Sequence, residues 1–238
     1  MEHKKSGNLL VLILLFALFT VLWTGKLSEL GQSNYYRQMT LSSGTYREKF
    51  GSKEQKAVKE QLSEECRAFL ENVENEVIYY PVPESTVDKE LKTSFVDTWQ
   101  AERSYDGKRG HEGTDIMASR NERGVYPVVS MTDGVVTNLG WLEKGGYRIG
   151  ITTDSSTYYY YAHLESYADT LWKGKSIKAG ELLGYMGDSG YGPEGTVGKF
   201  AVHLHVGIYC YADGEEISVN PYYVLRSLEN KKLKYAYS

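Results

Sequence analysis

Three short strings of this chain contain four of its five histidines, together with an aspartate. They read His111-Glu112-Gly113-Thr114-Asp115, Tyr161-Ala162-His163-Leu164 and His203-Leu204-His205. Zinc in proteins is bound by imidazole nitrogens and carboxylate oxygens in a tetrahedral shell, and a catalytic site holds three protein ligands and leaves the fourth position to water. The strings therefore indicate a metal-activated water, with two histidines beyond the ligands that such a site needs.

The last string lies in a predicted strand from Val202 to Cys210. Side chains alternate along a strand, so His203 and His205 share one face, while Leu204 and Val206 lie on the other. The apolar face is expected to be the core face. Each histidine alone has an ordinary interpretation as a surface or hydrogen-bonded residue, but two on one face predict a site in front of them.

The middle string also belongs to a predicted strand. Strict alternation places Tyr159, Tyr161 and His163 on one face, which is expected to oppose the histidine strand. Tyr158 and Tyr160 lie on the other face, where aromatic packing explains them.

The first string offers a histidine and an aspartate four residues apart. On a helix His111 and Asp115 would share a face, but Gly110 and Gly113 favour a loop that leads into a strand. Both side chains can then reach one ion. This spacing alone is weak evidence for a metal site, and the strand that contains His203 and His205 strengthens that evidence.

Short segments bounded by Gly, Asp-Gly and Gly-Gly follow Pro83, and none before Pro221 has a sustained helical period. The sequence therefore predicts a mostly β, antiparallel domain with an active-site groove over residues 81–225. Six predicted strands are Val125–Ser130, Gly134–Asn138, Tyr147–Thr152, Thr157–Leu164, Leu182–Met186 and Val202–Cys210. Residues 226–238 are predicted as a polar C-terminal tail, with several lysines.

A helix is predicted from Ser52 to Glu76, because apolar residues recur at steps of three and four. Ser52 and Gln55 form a capping box, and Pro81 prevents continuation. This helix packs on the domain or on a second copy; binding of a separate partner is the alternative. The linker and helix together occupy residues 26–80.

Residues 1–25 contain an almost unbroken apolar run after two lysines. A helix from Gly7 to Gly25 would be about 28 Å long, close to the roughly 30 Å hydrocarbon core of a bilayer. The run therefore predicts a single-pass anchor in the cell membrane. The two lysines before it predict that the N-terminus lies inside and everything after Lys26 outside. A cleaved signal peptide is the alternative, although Leu22-Trp23-Thr24 is a poor cleavage site.

The whole chain has 238 residues and a formal net charge of −4. That length predicts one domain of roughly 150 residues plus attachments. The charge gives no electrostatic reason to expect a nucleic-acid partner. The two cysteines, Cys66 and Cys210, are expected to be buried thiols, and a disulfide between them is the alternative.

From about Pro81 to Tyr223 the chain resembles the lysostaphin-type (LytM-like) zinc peptidoglycan endopeptidases. The three strings match the His-x-Gly-x-Asp, Tyr-x-His-Leu and His-Leu-His motifs of that family in order. Supporting matches are Pro127-Val128, Asp133-Gly134-Val135-Val136, Gly146-Tyr147-Arg148-Ile149, Lys178-Ala179-Gly180, Leu183-Gly184 and Gly187-Asp188-Ser189-Gly190. One departure is a longer connection, Tyr191 to Ala201, which is expected to border the groove.

The resemblance implies that His111, Asp115 and His205 bind Zn²⁺ and that His163 and His203 are catalytic. The histidine pair would position and deprotonate water, stabilise the developing oxyanion and return a proton to the leaving amine. The substrate implied is a peptide of the peptidoglycan stem or crossbridge.

Two other functions are compatible with the same motifs. The chain could be an extracytoplasmic scaffold that binds a partner protein in the cell envelope, as sporulation members of this family do, although here no ligand is missing. A purely structural metal is the third reading, but structural zinc sites usually have four protein ligands and are rich in cysteine.

Overall fold

The computed structural model describes residues 64–105, 107, 109–212 and 215–238. The predicted membrane anchor, the linker and the start of the predicted helix lie outside these residues. Within the described ranges, no helix has both the length and the apolar character that crossing a bilayer requires.

Ten strands form one antiparallel sheet, which confirms the predicted fold class. They are β2 (Thr93–Ser94), β5 (Thr114–Ala118), β6 (Pro127–Val129), β7 (Gly134–Leu142), β8 (Gly146–Thr152), β9 (Tyr158–Tyr167), β10 (Ser176–Ile177), β11 (Leu182–Met186), β12 (His203–Ala212) and β13 (Glu215–Val219). The strand order is β10-β7-β8-β9-β12-β5-β2; in addition β11 pairs with β6 and β9, and β13 pairs with β12. All six predicted strands are present.

The long strands β9 and β12 lie side by side at the centre of this sheet. On β12, Leu204, Val206 and Ile208 are fully buried in the apolar core. His205 pairs with Asp115 of β5 on one side and with Ala162 of β9 on the other. The alternation predicted for β12 is therefore confirmed, and its histidines face away from the core.

The alternation predicted for β9 does not hold at its histidine. Tyr159 and Tyr161 are fully buried in the core, whereas Tyr160 and His163 line the groove on the opposite face. His163 has a φ of 62°, in the left-handed region, and the pairing register with β8 shifts next to it. This β-bulge turns His163 from the core face, where strict alternation would put it, to the groove face.

Two helices contribute to the same core. In α1 (Glu64–Glu76), Phe69 and Val73 are buried in the core, so this helix packs on the domain. Its end at Glu76 agrees with the prediction, whereas the capping box at Ser52 lies outside the described residues. In α2 (Pro221–Leu228), the side chain of Asn220 caps the N-terminus by accepting a hydrogen bond from the Tyr222 amide.

The C-terminal segment, predicted as a solvated tail, is instead paired with the start of the domain. Strand β14 (Lys234–Tyr235) pairs in parallel with β1 (Glu84–Ser85). The Tyr237 hydroxyl donates to the Pro83 carbonyl at 2.7 Å, and that of Tyr235 donates to a backbone carbonyl at 3.1 Å. The lysines suggested a solvated end, but the tyrosines between them attach it to the domain.

A short hairpin, β3 (Glu102–Arg103) and β4 (Arg109–Gly110), precedes the first site residue. It reaches the mouth of the groove, where the Tyr105 ring stacks on that of Tyr191 at 4.5 Å between centroids. The hairpin carries no predicted site residue.

Candidate active site

Three of the predicted site residues converge on one point at the edge of β5 and β12. Nε2 of His111 lies 3.1 Å from Oδ1 of Asp115 and 3.0 Å from Nδ1 of His205. That Nδ1 lies 2.9 Å from the same Oδ1. One ligand atom from each residue therefore falls within a 4.8 Å cluster. Two imidazole nitrogens and one carboxylate oxygen are a donor set that suits zinc with an open fourth position.

Neighbouring groups orient these three side chains. Nδ1 of His111 lies 3.3 Å from the carbonyl oxygen of Thr98 and 2.9 Å from its hydroxyl. A carbonyl oxygen only accepts, so this contact favours the hydrogen on Nδ1 and leaves the Nε2 lone pair free. Arg103 donates to Oδ2 of Asp115 at 2.7 Å, which leaves Oδ1 to the cluster. A side chain at Gly113 would collide with the His205 ring, which explains the glycine in the first string.

The two remaining histidines lie beside the cluster with their rings 4.7 Å apart. Nδ1 of His163 donates to the Ser189 carbonyl at 2.7 Å, and Nδ1 of His203 donates to the Ala201 carbonyl at 2.7 Å. In both imidazoles the lone pair is thereby left on Nε2. Nε2 of His203 lies 3.8 Å from Oδ1 of Asp115, so it faces the cluster.

The electrostatics of the site favour an ionised Asp115 and uncharged rings at His205 and His163. Burial raises the pKa of Asp115, but the close contacts of its carboxylate with His111 and His205 outweigh that effect and hold the pKa far below its ordinary value. Burial lowers the pKa of His205, with Asp115 opposing. Burial, and then the charges of His203 and His205, lower the pKa of His163 well below its ordinary value. These are the protonation states that metal ligands and a proton acceptor need.

The sequence around this site matches known peptidases. The profile of peptidase family M23 matches residues 109–221, which contain all five site residues. A solved structure from Ruminococcus gnavus, provisionally assigned as the glycyl-glycine endopeptidase LytM, is 59% identical; the match covers 81% of this chain and 73% of that one, with a TM-score of 0.66. The chain belongs to peptidase family M23.

A second relative has a more specific name. The L-Ala–D-Glu endopeptidase of Bacillus subtilis strain 168 is 44% identical over 136 residues, which are 57% of this chain and 40% of that protein. The similarity thus spans less than half the length of that relative.

The connection predicted to border the groove of the M23 domain does so through both of its ends. The Phe200 ring lies 4.6 Å from that of His163 and 4.9 Å from that of His203. The Tyr191 ring lies 5.0 Å from Phe200 and 6.0 Å from His163. These two aromatic residues cover one side of the histidine pair and shield it from water.

The groove of the M23 domain has a volume of about 740 Å³ and extends from the cluster over β8, β9 and β12. Tyrosine rings form much of its surface: Tyr160 contacts the His205 ring edge-on at 5.9 Å, and Tyr158 and Tyr209 lie 6.1 Å apart. Side chains at Gly150 or Gly207 would collide with these tyrosines.

Several residues of the site were not predicted. Thr98 and Arg103, which hold two members of the cluster, lie outside every motif. Tyr160 was assigned to ordinary packing. No sequence signal marks Tyr160, because only the strand register shows that Ala162, on the same face of β9, pairs with His205.

Proposed function

We propose that this chain is a zinc-dependent endopeptidase that hydrolyses amide bonds in the peptides of bacterial peptidoglycan. The observation that carries this proposal is the convergence of His111 Nε2, Asp115 Oδ1 and His205 Nδ1 within 4.8 Å, beside two further imidazoles. Membership of family M23 supports it. The names of the relatives suggest two candidate bonds, glycyl-glycine in a crossbridge and L-Ala–D-Glu in a stem.

Zinc fits this donor set because Nε2 of His111 presents a lone pair, Nδ1 of His205 lies beside it, and the Asp115 carboxylate is ionised. His111, Asp115 and His205 would hold the ion. When bound, it would polarise the scissile carbonyl and lower the pKa of a water molecule towards neutrality. Arg103 forms an ion pair with Oδ2 of Asp115 at 2.7 Å, which would leave Oδ1 to hold the ion.

His163 and His203 provide the proton transfers. Each donates through Nδ1 to a backbone carbonyl, so each presents an Nε2 lone pair to the reacting atoms. A neutral imidazole there accepts the proton of the attacking water and returns it to the leaving amine. The imidazolium formed in between stabilises the negative charge that develops on the carbonyl oxygen. The aromatic rings of Tyr191 and Phe200 limit competing access of bulk water.

The proposal includes an N-terminal membrane anchor, with the M23 domain outside the cytoplasm. Its support is the apolar run in residues 1–25, which has the length of a bilayer span. Carbonate-resistant association of the full-length chain with membranes is expected, and protease added to intact protoplasts should remove the M23 domain. Release of the chain by carbonate would contradict the anchor.

Hydrolysis is tested with the purified chain and isolated peptidoglycan. Mass spectrometry of released fragments should show new amino termini; a chelator should stop the reaction and Zn²⁺ should restore it. His203→Ala should bind zinc but release fragments at least about 100-fold more slowly. Release that survives both the chelator and His203→Ala would overturn the proposal. A scaffold function instead requires that Asp115→Ala still captures the same envelope protein as the unmodified chain.

A further inference from the structure

Arg148 lies on β8 beside the bulge of β9 and lines the groove. Tyr147 pairs with Leu164 and Ile149 pairs with Tyr161, so Arg148 alone faces the two β9 residues between those partners. Bulges re-aim side chains and are frequent next to active sites.

The register gives the distance of Arg148 from the zinc site. Ala162, one of the two β9 residues opposite Arg148, pairs with His205. The backbones of Arg148 and His205 are therefore two strand spacings apart, roughly 10 Å. An extended peptide advances about 3.3 Å per residue. A group bound by Arg148 would belong to a residue within about three positions of the scissile bond.

The guanidinium of Arg148 lacks an anionic partner among the residues that the structure describes. Nε and Nη1 of Arg148 are buried and make no hydrogen bond, and the structure records no ion pair between Arg148 and any residue that it describes. Nε of Arg109, in the same groove, is also buried without an acceptor. Buried donors without acceptors are unfavourable because they have lost their hydration. An anionic ligand would supply the missing acceptors.

The rings next to Arg148 cannot supply a negative charge. The charge of Arg148 lowers the pKa of Tyr158 and Tyr160, but burial has the larger effect and raises both pKa values above the ordinary value. Both phenols therefore stay neutral at pH 7. They can pack against a peptide or donate a hydrogen bond to a substrate carboxylate. They cannot take the place of that carboxylate as the anionic partner of Arg148.

We propose that Arg148 binds a free carboxylate of the substrate and makes the groove selective for an acidic stem peptide over an uncharged glycine crossbridge. This inference rests on the proposed endopeptidase function and chooses between its two candidate bonds. A guanidinium suits a carboxylate because its planar fork donates two parallel hydrogen bonds. The L-Ala–D-Glu bond has a free carboxylate on its D-Glu residue, whereas a glycyl-glycine bond within a crossbridge has none.

The test compares three synthetic peptides: a stem peptide with the L-Ala–D-Glu bond, the same peptide with the free carboxylate of D-Glu changed to a carboxamide, and pentaglycine with its C-terminal carboxylate capped as an amide. The unmodified chain should cleave the first with a kcat/KM about 10- to 100-fold above the second, the range of a charge-assisted hydrogen bond. The difference should lie mainly in KM. Pentaglycine should be the poorest of the three.

Arg148→Gln should remove this preference. It should lower kcat/KM for the carboxylate peptide about 10- to 100-fold and leave the carboxamide peptide almost unchanged. The preference of Arg148→Lys for the carboxylate peptide should be intermediate, because lysine keeps the charge but lacks the planar guanidinium that donates two parallel hydrogen bonds. Arg226→Gln, on α2, is the matched control and should behave like the unmodified chain. Thermal unfolding of Arg148→Gln should occur at the same or a higher temperature, because a buried donor without an acceptor has been removed.

Equal loss of activity on both stem peptides, or a preference that persists in Arg148→Gln, would overturn the inference. Failure to cleave any peptide would instead contradict the proposed function. In that case calorimetric binding of the two stem peptides to His203→Ala still decides the inference. Tighter binding of the carboxylate form that depends on Arg148 supports it, and equal binding overturns it.

Discussion

β9 and β12 are neighbours, and both present histidines to the groove, but they do so in different ways. β12 keeps regular alternation, so His203 and His205 face the groove while Leu204 between them enters the core. β9 interrupts alternation with a bulge, where His163 has a φ of 62°. A regular strand therefore places two functional side chains through its period alone, whereas the third depends on a local irregularity.

The irregularity has a cost that neighbouring contacts offset. A residue with a side chain in the left-handed region loses about 1 kcal/mol or more relative to ordinary backbone. The backbone amide of His163 donates to the Gly145 carbonyl at 2.8 Å, and its ring donates to the Ser189 carbonyl. Both partners come from outside β9 and β12. The position of His163 is thus fixed by tertiary structure, and that of the β12 histidines by the strand itself.

The largest effect is expected from the ligand on β12. His205→Ala removes one of three zinc donors, so the purified protein should contain little zinc and its hydrolysis should fall to background. Metal analysis together with fragment release measures both quantities. Stoichiometric zinc in His205→Ala would show that the donor set has been assigned incorrectly.

A smaller but still large effect is expected from the histidine pair that spans the two strands. His163→Ala and His203→Ala should each lower kcat by about 10²- to 10⁴-fold, the usual range for a lost proton carrier. Both variants should keep stoichiometric zinc, which distinguishes them from the ligand variant. Activity within tenfold of the unmodified chain in either variant would exclude that histidine from proton transfer.

The smallest expected effect is on stability, and it compares the backbone conformation of the two strands at positions 163 and 203. At position 163, valine should lower the free energy of unfolding by about 1–2 kcal/mol relative to asparagine, because a β-branched residue tolerates positive φ poorly. At position 203, in regular strand, valine should be as stable as asparagine or more so. Chemical denaturation of the four metal-free variants, His163→Asn, His163→Val, His203→Asn and His203→Val, measures this contrast. The same difference at both positions would refute the role of the bulge.

The sequence predicted what depends on strand period and local spacing. The faces of β12 and the six strands follow from such patterns, whereas the three residues that converge on one point were assigned from the family resemblance. The bulge at His163 could not be predicted, because its partners Gly145 and Ser189 lie elsewhere in the chain. Arg103 and Thr98 were missed for a similar reason: their contacts to the cluster exist only once the hairpin folds against it.

The partial prediction of β9 has its own physical cause. Four consecutive tyrosines fit either face of a strand, because the ring is apolar and the hydroxyl is polar. Packing in the core determines which face is buried, and it buries Tyr159 and Tyr161. The pairing of β14 with β1 joins segments about 150 residues apart, as their register shows. No local pattern encodes a contact of that separation.

The imidazoles of His163 and His203 are held by the backbone carbonyls of Ser189 and Ala201 and not by carboxylate side chains. A systematic alanine scan would therefore identify His163 and His203 and overlook what orients them, because no substitution deletes a main-chain oxygen. Loss of orientation would have to arise from a shift of the chain itself, for example by proline or an insertion between those two carbonyls. That stretch is the longer connection, so its length and conformation are coupled to the tautomers of both histidines.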